Sequence, residues 1–446
     1  MAGEDIMAIK NILIDNYKSI KHCELQFKDI NLLIGENGSG KTNILSAIKY
    51  FYNNLVGSKE ELDAFDHNNK FSNCIRISIT FDFTTLNIRS YSQLKKEDTQ
   101  YHNYYKKITQ ASRNNELTVE LMKVKDKNIK WNCDISIRKM ISNLFPLYII
   151  DCRSMDLINW MNIWQEIGDL IKLESNLERN LKEQIDEIID DESYKLRDTF
   201  SELSNILTEE KIKVKGYTPK QYASNLATLV FEGNEFEFKE NKLNLFSNGT
   251  NASNYIRIFM RILGVIARKK MKCPIVILDE PEISLHHRLI DKMTDEIESA
   301  ENDVQTIMST HSPRLLKNIL RGQEDKCAIF HMKLEKSYTV VSEVKLFQQN
   351  SRHKIIITDQ HANAYFSNSI LMVEGESELE VFNNRYLREI FRCIKRLDVM
   401  QGTSNDIVNQ IISPLHRKYS VPVVLLRDMC LWHNKNAESC SVKMHI

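Results

Sequence analysis

Glycine, proline and long apolar runs are scarce in this sequence. Its 446 residues include only 13 Gly and 7 Pro, and no internal repeat is visible, which argues against flexible linkers and low-complexity segments. No apolar run reaches the roughly 18 residues that a membrane span requires, and residues 1–5 lack the basic and apolar regions of a signal peptide. We therefore expect a cytoplasmic protein without a membrane association, built from two or three domains.

Cysteine pairs and excess charge are also missing. None of the nine Cys forms a C-x-x-C pair, and an odd number of scattered cysteines without an export signal favours reduced thiols over a disulfide framework. Sixty basic residues balance sixty acidic ones, so a nucleic-acid surface would have to be a local patch.

A glycine-rich loop between a strand and a helix is the most specific pattern present. Residues 35–42 match G-x-x-x-x-G-K-[ST] at every fixed position, after an apolar run at 30–34 and before a helical pattern. Such a loop turns backbone N–H groups toward a polyphosphate at a helix start. Lys41 would reach the β- and γ-phosphates, and Thr42 would ligate Mg²⁺. The predicted nucleotide-binding residues are Gly35, Asn37, Gly38, Gly40, Lys41 and Thr42; an ordinary glycine turn is the alternative.

Two carboxylates end a second apolar run, at residues 274–280. A continuous apolar run is typical of a parallel strand covered on both faces, and acids at its carboxyl end project into the ligand crevice. Asp279 would hold Mg²⁺ through water, and Glu280 would orient or deprotonate the attacking water.

Two weaker signals accompany these motifs. His311 follows the strand at 304–309, where an imidazole could sense the γ-phosphate by hydrogen bonding. Ser247 and Gly249 precede an apolar helix and could form another anion site. Their position between the loop and the Asp-Glu strand resembles the signature motif of ABC-type ATPases.

The pattern of the segment from about 159 to 210 is helical and amphipathic. Its apolar residues recur at three- and four-residue steps; they are Leu170, Leu173, Leu177, Leu181, Ile185, Ile188 and Ile189. Helices that pack on the core and a subdomain for dimerisation are both open.

Carboxylates recur near the carboxyl terminus. Glu374 ends the apolar run 370–373, Glu378 follows four residues later, and Asp428 closes the run 421–426. Adjacent parallel strands that each deliver an acid to one edge suit metal-dependent phosphodiester chemistry. A solvated acidic helix start is the alternative.

Taken together, the motifs resemble the group of ABC-type ATPases that includes RecF, SMC and the OLD (overcoming lysogenization defect) nucleases. The resemblance implies ATP and Mg²⁺ as cofactors and a homodimer or higher homo-oligomer, in which Ser247 and Gly249 act on the ATP of a second copy. An ATPase followed by a Toprim domain is the OLD layout, shared by the nuclease subunit of Gabija and by retron-associated effectors, both anti-phage systems.

The OLD resemblance extends to the function. It implies a DNA endonuclease whose Glu374, Glu378 and Asp428 hold Mg²⁺ or Mn²⁺, with a co-encoded partner such as a reverse transcriptase with its RNA, or a helicase. Two other readings stay open: an ATPase sensor or scaffold that no longer cuts DNA and acts through partners, and a RecF-like DNA-repair ATPase.

The predicted fold is therefore α/β, an ABC/SMC-type P-loop ATPase head with a helical insertion, followed by a shortened Toprim-like α/β domain. The predicted parts are 1–158 with the glycine loop, 159–215 as the insertion, 216–345 with the Asp-Glu strand, and 362–446 as the Toprim-like domain.

Some positions depart from the family pattern. The chain has Leu285-His286-His287 where relatives have Leu-His-Pro, and neither Gln93 nor Gln100 has the context of a Q-loop glutamine. Cys430 replaces the second aspartate of Asp-x-Asp, and a thiolate is a poor ligand for Mg²⁺. The sequence given also lacks the further strands and lysine that follow in the family, so we expect a shortened Toprim.

Two further patterns concern DNA and zinc. A single helix over 378–396 would carry a cationic face for phosphate contacts or a merely solvated charged face; its residues are Arg385, Arg388, Arg392, Lys395 and Arg396, opposite a buried stripe of Phe382, Tyr386, Ile390, Phe391 and Ile394. Soft-metal ligands also cluster in the tail but match no zinc spacing; they are Cys430, His433, Cys440 and His445.

Overall fold

The computed structural model describes residues 8–57, 73–87, 110–152, 163–168, 183–185, 187, 196–209, 219–233, 235–238, 240–270, 272–300, 303–323, 326–344, 362–363, 366–367, 370–373, 375–391, 394–395, 397–401 and 423–425. The chain divides into two compact units, one formed by Met1–Ser154 with Met271–Ile446 and the other by Met155–Lys270.

The strands, in chain order, are β1 (Ile9–Tyr17), β2 (Ile20–Gln26), β3 (Ile30–Gly35), β4 (Cys74–Asp82), β5 (Glu116–Val124), β6 (Lys130–Trp131), β7 (Leu147–Asp151), β8 (Glu237–Phe238), β9 (Asn241–Lys242), β10 (Ile275–Asp279), β11 (Gln305–Ser309), β12 (Cys327–Glu335), β13 (Tyr338–Val344), β14 (Ile370–Val373), β15 (Asp398–Gln401) and β16 (Val423–Leu425). The α-helices are α1 (Lys41–Leu55), α2 (Ile135–Leu144), α3 (Leu196–Glu209), α4 (Pro219–Val230), α5 (Asn248–Lys270), α6 (His287–Ala300), α7 (Pro313–Gln323), α8 (Glu376–Asn383) and α9 (Arg385–Ile390).

A six-stranded sheet in the order β13-β12-β3-β11-β10-β7 forms the centre of the first unit. All of its pairs are parallel except β12 with β13. Every residue of β3, β10 and β11 is buried, as expected for parallel strands that are covered on both faces. The carboxyl ends of these three strands therefore deliver Gly35, Asp279 and Ser309 to one edge, where α/β sheets bind ligands.

A second, antiparallel sheet in the order β2-β1-β4-β5-β6 packs in the same unit. Along β1 and β4 the buried residues are mostly apolar and share one large hydrophobic core with α1. The fully buried side chain of Gln305 joins the two sheets, because its Oε1 accepts from the Ile9 amide at 2.8 Å and its Nε2 donates to the Ile9 carbonyl at 2.8 Å.

The second unit is helical in most of its described part and contains the β8–β9 hairpin. It spans the predicted insertion at 159–215 and continues to the end of α5; the boundaries given from sequence stay predictions. Of the predicted amphipathic stripe only Ile185 lies within the described residues, and it is 53% exposed. On α3, Phe200, Leu203 and Ile206 are each 50% exposed.

A three-stranded parallel sheet in the order β15-β14-β16 lies in the carboxyl-terminal part of the chain. Val373 pairs with Gln401, and Met372 pairs with Leu425. The sequence continues directly into Glu374 after β14, into Gly402 after β15 and, three residues later, into Asp428 after β16.

The predicted single helix over 378–396 is wrong. Helix α8 ends at Asn383, and the side chain of Asn384 then caps α9 by accepting from the amides of Tyr386 at 2.9 Å and Leu387 at 3.4 Å. Asparagine competes with continued helix in this way because its short side chain satisfies the free N–H groups of a helix start. Helix α9 ends at Ile390.

The predicted faces of that helix are wrong as well. Tyr386 and Ile390 are 76% and 69% exposed, so the expected apolar stripe is not buried. The guanidinium of Arg388 donates to the carbonyls of Phe382 at 2.8 Å and Leu397 at 3.2 Å, so it holds the end of α8 and does not extend a free cationic face. Arg392 and Arg396 lie outside the described residues.

No helix in the described ranges combines the length and the hydropathy needed to span a bilayer.

Candidate nucleotide-binding site

The glycine loop connects β3 to α1 as predicted. Gly35 and Gly40 are buried, Asn37 and Gly38 are exposed, and Lys41 begins the helix. Gly40 has φ 102°, and a Cβ there would lie 2.0 Å from Thr339 Oγ1, so both the backbone and the space demand glycine.

Lys41 is only 5% exposed, and its Nζ donates to the carbonyls of Gly35 and Glu36, both at 2.9 Å. The hydroxyl of Thr42 is on an exposed residue at the helix start, while the buried Ser39 hydroxyl has no hydrogen-bond partner among the described residues. A buried cation, a buried unpaired hydroxyl and the free N–H groups of a helix start fit a polyphosphate. The predicted loop residues are therefore arranged as nucleotide binding requires.

Asp279 lies at the end of β10, which is separated from β3 by β11. It is 6% exposed. Its Oδ1 accepts a hydrogen bond from the hydroxyl of Ser309, which fixes the carboxylate. Ser309 also contacts the backbone of Glu280, whose amide donates to the Ser309 carbonyl and to the Ser309 hydroxyl, each at 3.1 Å. Carboxylate and hydroxyl oxygens are the ligands that Mg²⁺ prefers, so Asp279 and Thr42 suit the ion.

His311 and Glu280 meet at this edge. The Nε2 of His311 lies 3.7 Å from Oε1 of Glu280. Burial lowers the pKa of His311, the positive charge of Lys41 lowers it further, and Glu280 and Asp279 oppose the shift. The charges of Lys41, Glu280 and Asp279 therefore all influence the pKa of this imidazole.

Glu282 was not predicted and holds His311 in place. Its Oε1 accepts from the His311 amide at 2.6 Å and from the Thr310 hydroxyl at 2.8 Å. Burial raises the pKa of Glu282, and these hydrogen bonds partly offset the rise. No sequence signal identifies this role, since an acid two residues after Glu280 is as typical of a solvated turn.

Other neighbours of the site were also missed. The register places Asp151 at the end of β7 beside Asp279. Gln93 and Gln100 lie outside the described residues. His331 on β12 pairs with Ile34 and is 7% exposed. Burial is the main reason for its lowered pKa, to which Lys41 contributes in the same direction.

Ser247 caps α5. Its Oγ accepts from the Thr250 amide at 3.3 Å, and its carbonyl accepts from the Asn251 amide at 3.0 Å. Ser247 itself is exposed, whereas Gly249 in the first turn is buried. Both residues belong to the second compact unit, and their assignment to ATP stays a prediction.

The carboxyl-terminal acids are only partly described. Glu378 lies in the first turn of α8, where its Oε2 accepts from the amide of the N-cap residue Gly375 at 3.0 Å. Glu374 and Asp428 lie outside the described residues, as do Cys430, His433, Cys440 and His445. Within the described part of the chain, no group of three or more His, Cys, Asp and Glu could hold a metal ion, so the predicted second metal site stays a prediction.

A family model described as "AAA domain, putative AbiEii toxin, Type IV TA system" matches residues 30–317. Endonuclease GajA of Bacillus cereus (strain VD045) is 24% identical over 413 residues, which cover 84% of this chain and 67% of GajA. The DNA replication and repair protein RecF of Rickettsia bellii (strain OSU 85-389) is 49% identical over only 45 residues, 10% of this chain and 12% of RecF.

Among solved structures, the SMC head domain from Thermotoga maritima matches with a TM-score of 0.40 and 15% identity, covering 76% of this chain and 100% of that chain. The Smc head domain with an extended coiled coil from Pyrococcus furiosus matches with a TM-score of 0.45 and 14% identity, over 76% of this chain and 96% of that chain.

The predicted resemblance to the Gabija nuclease subunit is confirmed by the similarity to GajA, and the predicted α/β fold of a P-loop ATPase is confirmed by the strand order and the family match. The matched segment contains the glycine loop, Asp279, Glu280 and His311, and it spans more than half of the chain. The chain therefore belongs to the AAA-domain family of ATPases that carries this description.

Proposed function

We propose that the chain hydrolyses ATP at the edge formed by β3, β11 and β10, and that it is a metal-dependent DNA endonuclease of OLD type in anti-phage defence. The observation that carries the ATPase part is the convergence of Lys41, Asp279, Glu280 and His311 on one site. The nuclease part rests on the similarity to GajA.

In the ATPase, each described residue has a chemical task. Lys41 would exchange its two carbonyl partners for phosphate oxygens, because charged acceptors make the stronger hydrogen bonds. Thr42 and Asp279 would hold Mg²⁺, whose positive charge would offset the negative charge of the phosphates. Ser309 keeps the Asp279 carboxylate in its orientation.

The water that attacks would be oriented by Glu280, and its proton would pass to that carboxylate. His311, whose lowered pKa leaves it neutral near pH 7, would contact the γ-phosphate by a hydrogen bond. Glu282 would hold the backbone of His311 in register with Glu280. Ser247 and Gly249 of a second copy of the chain would complete the site. ATP binding would then control formation of a homodimer.

The nuclease site would lie at the carboxyl edge of the β15-β14-β16 sheet. Three parallel strands in that order precede Gly402, Glu374 and Asp428, respectively, and acids that follow adjacent parallel strands come to the same edge. Glu374, Glu378 and Asp428 would hold Mg²⁺ or Mn²⁺ there, with DNA as substrate. Cys430 in place of an acid would weaken the site for hard ions.

A nicking assay on supercoiled DNA tests the nuclease part. We expect cleavage with Mg²⁺ or Mn²⁺ by the wild type, loss of cleavage in Glu374→Ala and Asp428→Ala, and unchanged cleavage in the control Glu376→Ala, which removes an exposed acid of the same helix start. Cleavage that survives Glu374→Ala would contradict the assignment.

A sensor or scaffold without nuclease activity is the second candidate, favoured by Cys430 in place of an acid. ATP hydrolysis by the wild type with no cleavage under either metal would support it, and the protein would then act through a partner such as a co-encoded reverse transcriptase with its RNA, or a helicase. The RecF-like reading is not favoured, because that similarity covers 12% of RecF.

A further inference from the structure

A series of hydrogen bonds connects α1 to the glycine loop through the side chains of Ser19 and Thr339. Asn43 Nδ2 donates to Ser19 Oγ at 2.7 Å, and Ser19 Oγ lies 2.6 Å from Thr339 Oγ1. Thr339 Oγ1 donates to the carbonyl of Ser39 at 2.9 Å. Ser19 and Thr339 are 6% and 3% exposed, so water cannot readily replace these contacts.

The direction of the hydrogen bonds in this series follows from counting protons. A carbonyl can only accept, so the single hydroxyl proton of Thr339 is committed to Ser39. Ser19 must then donate its own proton to Thr339 Oγ1, and one of its two lone pairs accepts from Asn43 Nδ2. Each hydroxyl donates once and accepts once, and the order Asn43, Ser19, Thr339, Ser39 is fixed.

The last bond orients the peptide group between Ser39 and Gly40 in the glycine loop. The peptide bond between Ser39 and Gly40 is planar and trans, so its C=O and N–H point in opposite directions. Holding the Ser39 carbonyl toward Thr339 therefore turns the Gly40 N–H away from the hairpin. Backbone N–H groups of this loop are the donors that take up the phosphates.

The hairpin that carries Thr339 is anchored to the same strand that leads into the loop. Strand β12 runs parallel to β3 with Met332 opposite Gly35, and β12 continues into the hairpin with β13. The amide of Thr339 also donates to the Ser19 carbonyl at 2.8 Å. Thr339 is thus held through its backbone by its pairing with Leu334 and by the hydrogen bond to Ser19.

We propose that Thr339 is a positioning residue for nucleotide binding, which holds the Ser39–Gly40 peptide so that the Gly40 N–H faces the phosphates. The hydroxyl of Ser19 orients that of Thr339. This inference rests on the proposed binding of ATP at the loop and goes beyond it by assigning part of the affinity to a hairpin about three hundred residues away in the sequence.

The test compares Thr339→Val with Thr339→Ser in the full chain. Valine keeps the shape but removes the hydroxyl, and we expect the Kd for ATP with Mg²⁺ to rise about tenfold, as for a lost buried hydrogen bond. The KM for ATP should rise in parallel while kcat stays within about twofold, because uniform binding is lost and Glu280 is untouched. Serine restores the hydroxyl and should bind ATP within about twofold of wild type.

Thr294→Val is the matched control. Thr294 is 1% exposed, and its hydroxyl donates to the Ile290 carbonyl at 2.8 Å within α6. This variant also loses one buried threonine hydroxyl, so its thermal stability should fall as in Thr339→Val, but its Kd for ATP should not change.

An unchanged Kd in Thr339→Val, or a Thr339→Ser variant as defective as Thr339→Val, would overturn the inference. If Thr339→Val does not fold, Thr339→Ala decides in its place, because it removes the same hydroxyl; the same rise in Kd is expected, and an unchanged Kd overturns the inference. A folded wild type that binds no ATP would refute the proposed function. A wild type that binds ATP, with the same Kd in Thr339→Val, would refute only the role of Thr339.

Discussion

The imidazole Nε2 of His311 lies 3.7 Å from the carboxylate Oε1 of Glu280. The two residues follow β11 and β10, which are parallel neighbours with Ser309 opposite Asp279. That register sets the distance, because each side chain lies one or two residues beyond the paired ends. The acid proposed to orient the attacking water and the histidine proposed to contact the γ-phosphate are thereby held by one pair of strands.

Glu280→Gln should separate ATP binding from hydrolysis. The amide keeps the size of the side chain but cannot accept a proton, so we expect the rate of ATP hydrolysis to fall about 100-fold or more, with the Kd for ATP unchanged. Phosphate release and equilibrium binding of labelled ATP measure the two quantities. Glu335→Gln, at an exposed acid at the end of β12, is the control, and equal effects of the two substitutions would contradict the role of Glu280.

Glu282 should act through His311. Glu282→Ala removes the acceptor of the His311 amide and the Thr310 hydroxyl, and we expect kcat for ATP hydrolysis to fall about tenfold with little change in KM. Glu282→Gln keeps an acceptor oxygen. Because burial raises the pKa of Glu282, loss of the charge costs no stability near pH 7, and this variant should retain most of kcat and the wild-type Tm. A Glu282→Ala variant with wild-type kcat would refute the coupling.

Gly40→Ala should disrupt the glycine loop by more than the strain of a positive φ alone would explain. Gly40 and Gly57 both have positive φ, 102° and 92°, but a Cβ meets Thr339 Oγ1 at 2.0 Å in the first case and nothing within 4 Å in the second. Both variants should lose about 1 kcal/mol of stability from backbone strain, and only Gly40→Ala should lose ATP binding. Calorimetric titration with ATP distinguishes them, and ATP binding retained by Gly40→Ala would contradict the contact with Thr339.

The glycine loop and the Asp-Glu strand were predictable because their chemistry is contiguous in sequence. Gly35, Lys41 and Thr42 need only one strand, one turn and one helix start, and the apolar run before Asp279 already implies a buried parallel strand. The structure places these residues as expected.

Residues that act across the sheet were not predictable in this way. Thr339 reaches Ser39 because β12 pairs with β3, and Ser309 reaches Asp279 because β11 lies beside β10. Such pairings depend on the strand order, which no local pattern encodes. The helix predicted over 378–396 failed for the opposite reason, since the periodicity was regular but the local cap by Asn384 ended it.

The contact between Asp291 and Arg314 joins α6 to α7 and should make stability depend on pH. Arg314 donates from Nε to Oδ1 at 2.8 Å and from Nη2 to Oδ2 at 2.6 Å, and Asn318 donates to Oδ1 at 2.7 Å. These hydrogen bonds, that of Arg314 above all, lower the pKa of Asp291 from 3.8 to about 2. A lowered carboxyl pKa stabilises the fold above pH 3.8, and this contribution is lost as the pH falls toward 2.

Asp291→Asn should therefore lower the free energy of unfolding near pH 7, but by less at acid pH. About a third of each side chain is exposed, so solvent screening limits the loss to about 0.5–1 kcal/mol. About half of that difference should have disappeared at pH 3. Urea unfolding of both proteins at pH 7 and pH 3 measures it. Glu389→Gln breaks the pair of Glu389 with Arg385, whose side chains are 57% and 88% exposed, and should leave stability unchanged at both pH values. If Asp291→Asn lowers the free energy of unfolding by the same amount at pH 7 and at pH 3, the ionised carboxylate is not what joins the two helices.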